Sequence, residues 1–235
     1  MIGRQDALVV IDATLTFMPG GGLAVQGGDK VIAPIKRILP LFPEDKRVFT
    51  LDVHEVGHIS FASSYVDLPN FYVLTYEEVA QWTKEDSKIG PKAKFTVDDL
   101  KLYLRRIHHQ TLWPDHGLGK EAGKHQAFAE YDGVVVRKGL EPTRDSYSAV
   151  RDNAGRELVL LPIIKQMRPK KIFVCGLVYR YCVGWTALDL ADLGYQVTVV
   201  KDATQDLGDE AGHEEMNMFF KTAGVRLTTT RELIG

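Results

Sequence analysis

The sequence predicts an α/β fold: a single three-layer α/β/α domain with a mainly parallel central sheet. Two observations carry this. Short apolar runs alternate with longer stretches of helical period along the 235-residue chain, and strands that alternate with helices pair in parallel beneath helices on both faces. The runs are also apolar nearly throughout, as strands buried on both faces are, rather than alternately polar.

The elements follow in order. "ALVVIDA" (7–13) is a first buried strand, rich in β-branched residues and closed by an acid. A helical pattern spans 29–41, and "RVFTLDV" (47–53) is a second strand. The region 57–128 breaks the rhythm with Pro69, Pro91 and Pro114 and the basic helix "DDLKLYLRRIHH" within 98–109. No linker-like composition flanks it, so 57–112 is expected to be an insertion within one domain, 1–235. "GVVVRK" (133–138), "KIFVCGL" (171–177) and "YQVTVVKDA" (195–203) continue the strands, and "GVRLTTT" (224–230) is a weaker sixth. Helical patterns at 156–168, 183–194 and 205–222 lie between them, the middle one stopping at Gly194.

Composition excludes several classes of function. A net charge of -2 gives no reason to expect nucleic acid or an anionic membrane as partner. No apolar run approaches the ~18 residues of a membrane span. The N-terminus runs straight into a strand-like segment, and two cysteines cannot build a disulfide framework. A reduced, cytoplasmic protein is the expectation, and homo-oligomerisation stays open.

In such sheets ligands bind beyond the carboxyl ends of the strands. Asp12 ends the first strand, Asp52 the second with His54 two residues on, and Lys138 the third. The segment "GLVYRYC" leaves the fourth and enters a helix. Four strands therefore bring an acid, a metal-type pair, a cation and a thiol to one edge. Residues i and i+2 of a strand end point the same way, so Asp52 and His54 can share an ion.

The two cysteines differ in setting. Cys175 lies among apolar neighbours in "IFVCGL" and reads as a small buried hydrophobe. Cys182 opens a helix, where unpaired N–H groups and the dipole favour an anion. The dipole alone supplies ~0.3–1 kcal/mol, under one pKa unit, so lowering the thiol pKa below ~7 calls for a cation, and Lys138 is a candidate.

Five segments now carry a resemblance: "VVIDATLTFMPGGGLAV", "LDVHEVGHISFA", "LWPDHG", "VVRKGLEPTRDSYSA" and "GLVYRYCVGWTALDLADLGY". In order and character they resemble nicotinamidases, members of the isochorismatase-like cysteine hydrolases, whose central sheet is Rossmann-like. The resemblance implies hydrolysis of nicotinamide to nicotinate and ammonia, within NAD salvage, through a thioester. It implies a catalytic triad at Asp12, Lys138 and Cys182, and metal ligands at Asp52, His54 and His116. Zinc suits these donors, as do manganese and iron. It further implies an oxyanion hole from the backbone N–H groups of Val178 and Cys182, with a cis peptide at Leu177–Val178. Phe17 and Trp113 match aromatic positions that line the ring pocket, and Tyr147 is a third wall. His58 is expected to brace its loop, while His108 and His109 face solvent from the basic helix.

Three departures stand out. The usual Asp-x-Gln-Asn-Asp-Phe is here Asp12-Ala13-Thr14-Leu15-Thr16-Phe17; Arg180 replaces an acid two residues before the thiol; Gly117 follows His116 where a cysteine is usual. Alternatives are hydrolysis of another small amide, attack by metal-bound hydroxide with Cys182 idle, and a non-catalytic binding module that keeps the fold.

Overall fold

The computed structural model describes residues 2–208 and 210–235. Its elements are β1 (Ala7–Ile11), α1 (Ile32–Ile38), β2 (Arg47–Asp52), β3 (Val73–Thr75), α2 (Tyr76–Ala80), α3 (Val97–Ile107), β4 (His109–Thr111) and β5 (Val134–Lys138). They continue with α4 (Leu160–Met167), β6 (Lys171–Leu177), α5 (Gly184–Asp192), β7 (Gln196–Gln205), α6 (Glu210–Ala223), β8 (Arg226–Thr228) and α7 (Thr230–Ile234). Among the described residues no helix is long and apolar enough to cross a membrane.

Six strands form the central sheet in the order β5-β2-β1-β6-β7-β8, and every neighbouring pair is parallel. Alternation along β1 explains the three layers. Leu8 and Val10 pack into a core with Ile35 and Ile38 of α1, against which Leu233 of α7 lies. Val9 and Ile11 face the other way, toward Leu160 and Ile164 of α4, Ala187 and Leu190 of α5, and Phe220 of α6. All five residues of β1 are buried, so neither face can be polar.

The chain builds outward from β1 to β2 and β5, then returns to place β6 on the other side of β1. The reversal opens a crevice between β1 and β6 at their carboxyl ends. Gly176 makes the two strands fit there. It sits opposite Ile11, at a φ of 111° and beside an irregularity in the pairing of β6 with β7. A Cβ on it would collide with the Ile11 carbonyl.

Residues 57–112 carry an antiparallel pair, β3 with β4, and the helices α2 and α3. Leu74, Val79, Trp82, Leu100 and Leu104 gather in a hydrophobic cluster separate from the two sheet cores. Thr96 and Asp99 cap α3 reciprocally, each side chain meeting the other's backbone N–H. The helix ends earlier than its pattern suggested. His108 adopts a φ of 66° and closes it, so His109 belongs to β4; both are exposed. Gln110, between the side chains of Tyr103 (2.7 Å) and Asp145 (3.2 Å), ties this region to the segment after β5.

Candidate active site

Asp12 follows β1 at a φ of 44°, a left-handed conformation that Asp tolerates better than most residues. Thr50, two residues before the end of β2, donates its hydroxyl to Asp12 Oδ1 at 2.6 Å. Lys138 closes β5, and strand register sets it level with Asp52 at the end of β2. Its Nζ lies 2.6 Å from Asp52 Oδ1, 2.9 Å from the Ser146 carbonyl, 3.2 Å from Asp12 Oδ2 and 3.4 Å from Cys182 Sγ. Three of the polar positions expected from separate strand ends, Asp12, Asp52 and Cys182, thus meet around the ammonium of the fourth, Lys138.

Cys182 differs from expectation in two respects. It lies in a π-helical turn, Tyr179–Val183, that precedes α5, rather than in the first turn of an α-helix. Its pKa is also not lowered. Burial pushes the thiol well above its ordinary value; Lys138 pulls down, but Asp12 and Asp52 push up again. One ammonium shared among two carboxylates and a thiol cannot stabilise the thiolate as a lone lysine would. The resting group is a thiol, and it needs a base. Asp12 suits that role, since burial raises its pKa although Lys138 opposes the shift. Burial works against the charge on Lys138, but Asp12 and Asp52 outweigh it and hold the pKa well above the lysine norm. Burial likewise opposes the charge of Asp52, yet Lys138 and His54 hold its pKa well below the usual carboxylate range. Cys175 is fully buried among core residues, its Sγ beside the Val9 carbonyl at 4.0 Å, as a small hydrophobe would be.

Asp52 also faces the histidines. Its Oδ2 is 3.3 Å from both His54 Nε2 and His116 Nε2. His54 Nδ1 lies 2.9 Å from the Gly139 carbonyl and His116 Nδ1 2.8 Å from the Pro114 carbonyl. A carbonyl only accepts, so each Nδ1 carries a hydrogen and each Nε2 faces the common point. Backbone partners of this kind fix the tautomer of metal-binding histidines. The three residues therefore fit a divalent cation. Burial disfavours charge on His54, but Asp52 raises its pKa overall, so a proton competes with a cation for Nε2. His54, His58 and Asp145 form a second cluster. There His58 is already committed, Nδ1 to Ser60 Oγ at 2.8 Å and Nε2 to the Arg144 carbonyl at 3.2 Å. It braces the loop, as expected, with its ring 4.3 Å from that of His54.

Two glycines allow the histidines to sit so close. Gly139 has a φ of 76°, and a Cβ there would lie 2.5 Å from His54 Cε1. Gly117, at a φ of 64°, accepts from the His54 N–H through its carbonyl and packs against Asp52. Here the departure from the usual cysteine is a close backbone approach.

Phe17, Trp113 and Tyr147 line one cavity with Asp52, His116, Lys138, Ser146, Val178, Tyr181, Cys182 and Leu207. Tyr181 was not anticipated. Its ring centre lies 5.0 Å from that of Trp113 and 5.3 Å from that of Tyr147. Its place beside the cysteine was the available signal. Thr50 and Ser146 were also missed; only a hydroxyl within or next to an apolar run marks them. The Leu177–Val178 peptide is cis, as the resemblance implied. Outside this cavity, Tyr147 and Tyr181 border a groove of about 620 Å³ to which Ile107, His109 and Thr111 also contribute. Arg180 lies over the Tyr181 ring and points toward Asp206, 3.7 Å away. His213 lies against the same Asp206 at 3.1 Å and stacks on Tyr179, and His125 Nδ1 accepts from the Ala127 N–H, so both find the partners the sequence did not reveal.

Comparison with known proteins agrees with this geometry. Residues 122–232 match the family model described as the isochorismatase domain. A nicotinamidase of Acinetobacter baylyi is 28% identical over 234 residues, covering 97% of this chain and 94% of its own length. A solved nicotinamidase/pyrazinamidase of Acinetobacter baumanii superposes with a TM-score of 0.82 at 26% identity, covering 99% of this chain and 100% of its own. A pyrazinamidase of Pyrococcus horikoshii, solved in complex with zinc, gives a TM-score of 0.66 at 25% identity, with 96% and 99% covered. By its parallel sheet, the cavity at the β1/β6 crevice and these likenesses, the chain is similar to members of the isochorismatase-like superfamily.

Proposed function

We propose that the protein is an amidohydrolase that converts nicotinamide to nicotinate and ammonia, a step of NAD salvage, with Cys182 as nucleophile. The observation that carries this is Lys138 Nζ standing 3.2 Å from Asp12 and 3.4 Å from Cys182, with Lys138 and Cys182 lining one cavity. The curated and solved relatives named as nicotinamidases support the choice of substrate.

In this reading Asp12 takes the Cys182 proton and Sγ attacks the carboxamide carbon. Lys138 stays protonated and balances the charge as it moves from carboxylate to thiolate. The N–H groups of Val178 and Cys182 receive the developing oxyanion, each donor of this kind being worth roughly 3 kcal/mol of barrier. Asp12 returns its proton to the departing nitrogen, and ammonia leaves a thioester on Cys182. Water then attacks the thioester carbon, Asp12 accepts the water proton, and nicotinate departs as the thiol reforms. Phe17, Trp113 and Tyr147 hold the ring in place. Asp52, His54 and His116 would hold a divalent ion, zinc being favoured by the imidazole donors and by the relative solved with zinc; bound there, it would supply Lewis acidity toward the pyridine nitrogen.

The test is ammonia release by purified protein of measured metal content, from nicotinamide and a panel of small amides. Turnover of nicotinamide above the other amides supports the reading. Turnover of another amide with none of nicotinamide moves the substrate elsewhere in the superfamily.

A further inference from the structure

Ser146 lies next to Asp145 in the segment after β5 and lines the catalytic cavity with Lys138 and Cys182. Its backbone is held on both sides. The N–H donates to Asp145 Oδ1 at 2.8 Å, and the carbonyl accepts from Lys138 Nζ at 2.9 Å. The residue is 3% exposed, yet its Oγ has no hydrogen-bond partner among the described residues. Buried hydroxyls are nearly always paired, since an unpaired one loses its solvation and gains nothing. The hydroxyls of Thr14 and Thr204 share this condition, but neither residue lines the cavity.

We propose that Ser146 Oγ accepts a hydrogen bond from the carboxamide N–H of the substrate and so selects amides at the scissile bond. The inference rests on the amidase reading above and adds a substrate contact to it. A bound aromatic carboxamide presents a ring, a carbonyl oxygen and an NH2 group. The ring takes the aromatic walls and the oxygen takes the Val178 and Cys182 N–H groups. The NH2 group brings two hydrogens. Asp12, next to the thiol, receives one. The other needs an acceptor on the cavity wall. Asp52 Oδ1 is taken by Lys138, and Oδ2 faces His54 and His116. Asp145 accepts from the Ser146 N–H and from Gln110. Among the described residues Ser146 Oγ is the cavity-lining hydroxyl that is buried without a partner, and the hydrogen bond from Lys138 to its carbonyl fixes its backbone.

The test compares nicotinamide with methyl nicotinate, whose ester oxygen carries no hydrogen to donate. Ser146→Ala should lower kcat/KM for nicotinamide about tenfold or more, while methyl nicotinate changes by less than about twofold. Its melting temperature should match the wild type, because the hydroxyl has no partner in the protein. Ser146→Cys keeps the side-chain volume but accepts hydrogen bonds weakly; it should lose amide turnover in the same sense, so the test survives if the alanine variant misfolds. Equal losses on amide and ester, or undiminished nicotinamide turnover, overturn the inference while the amidase reading stands. Wild-type protein that cleaves methyl nicotinate but not nicotinamide overturns both.

Discussion

Lys138 holds together groups that would otherwise repel. Asp12 and Asp52 are both buried, and the ammonium lies within 3.2 Å of one and 2.6 Å of the other. Lys138→Met should therefore cost stability as well as activity. Removing one partner of a buried ion pair costs about 3–5 kcal/mol. Chemical denaturation reads this directly, and an unchanged midpoint would contradict the charge balance described here. In the proposed mechanism Asp12 sets the pH response. Burial raises its pKa, so the carboxylate proposed to accept the thiol proton is lost as pH falls through a value above the ordinary ~3.9. The acid limb of kcat/KM should lie above that value and rise with pH. A limb at or below it would mean that Asp12 is not the base. Gly139 makes the third residue-scale prediction. Alanine there would press on the His54 ring and strain a φ of 76°. Gly139→Ala should bind less metal than the wild type at equal zinc, by metal analysis after dialysis.

The strands and helices differ in how much of the site they reveal in advance. β1, β2, β5 and β6 were legible because each is an apolar run with a polar residue where it ends, and parallel strands put those ends on one edge. That pattern was enough to select Asp12, Asp52, His54 and Lys138 before any geometry. The turn holding Cys182 was not legible. A π-helical turn has no distinct periodicity, so the cysteine looked like the first residue of an ordinary helix. The thiol pKa was misread for a related reason: one cation near a sulfur is visible in sequence, but the two carboxylates sharing that cation are a matter of distance. Ser146 and Thr50 gave no signal beyond a hydroxyl, since their roles depend on which neighbours they meet. The 57–112 region is a test of separability at this scale. Thr96→Ala removes the cap of α3 and should cost about 1 kcal/mol with ammonia release unchanged, because the contact of α3 with Gln110 and Asp145 runs through Tyr103, two turns beyond the cap. A large loss of activity with intact stability would place that region in the chemistry.

At the scale of the whole molecule, the fold places two kinds of chemistry on either side of Asp52. One carboxylate oxygen meets the ammonium that serves the thiol, and the other meets the two histidines. A cation held there binds the folded chain and not the unfolded one, so it must stabilise the fold. Zinc added to stripped protein should raise the melting temperature. The gain should shrink as pH falls, because Asp52 raises the His54 pKa against the effect of burial and protons then compete for its Nε2. His54→Ala should abolish the zinc-dependent rise; if it persists, the ion binds elsewhere. Nucleophilic attack by Cys182 is tested by ammonia release from nicotinamide by Cys182→Ala in the presence of zinc. A loss of about a thousandfold or more is expected, with folding and zinc binding intact. Retention of most of the wild-type rate would instead assign the attack to water and leave the cysteine without a catalytic role.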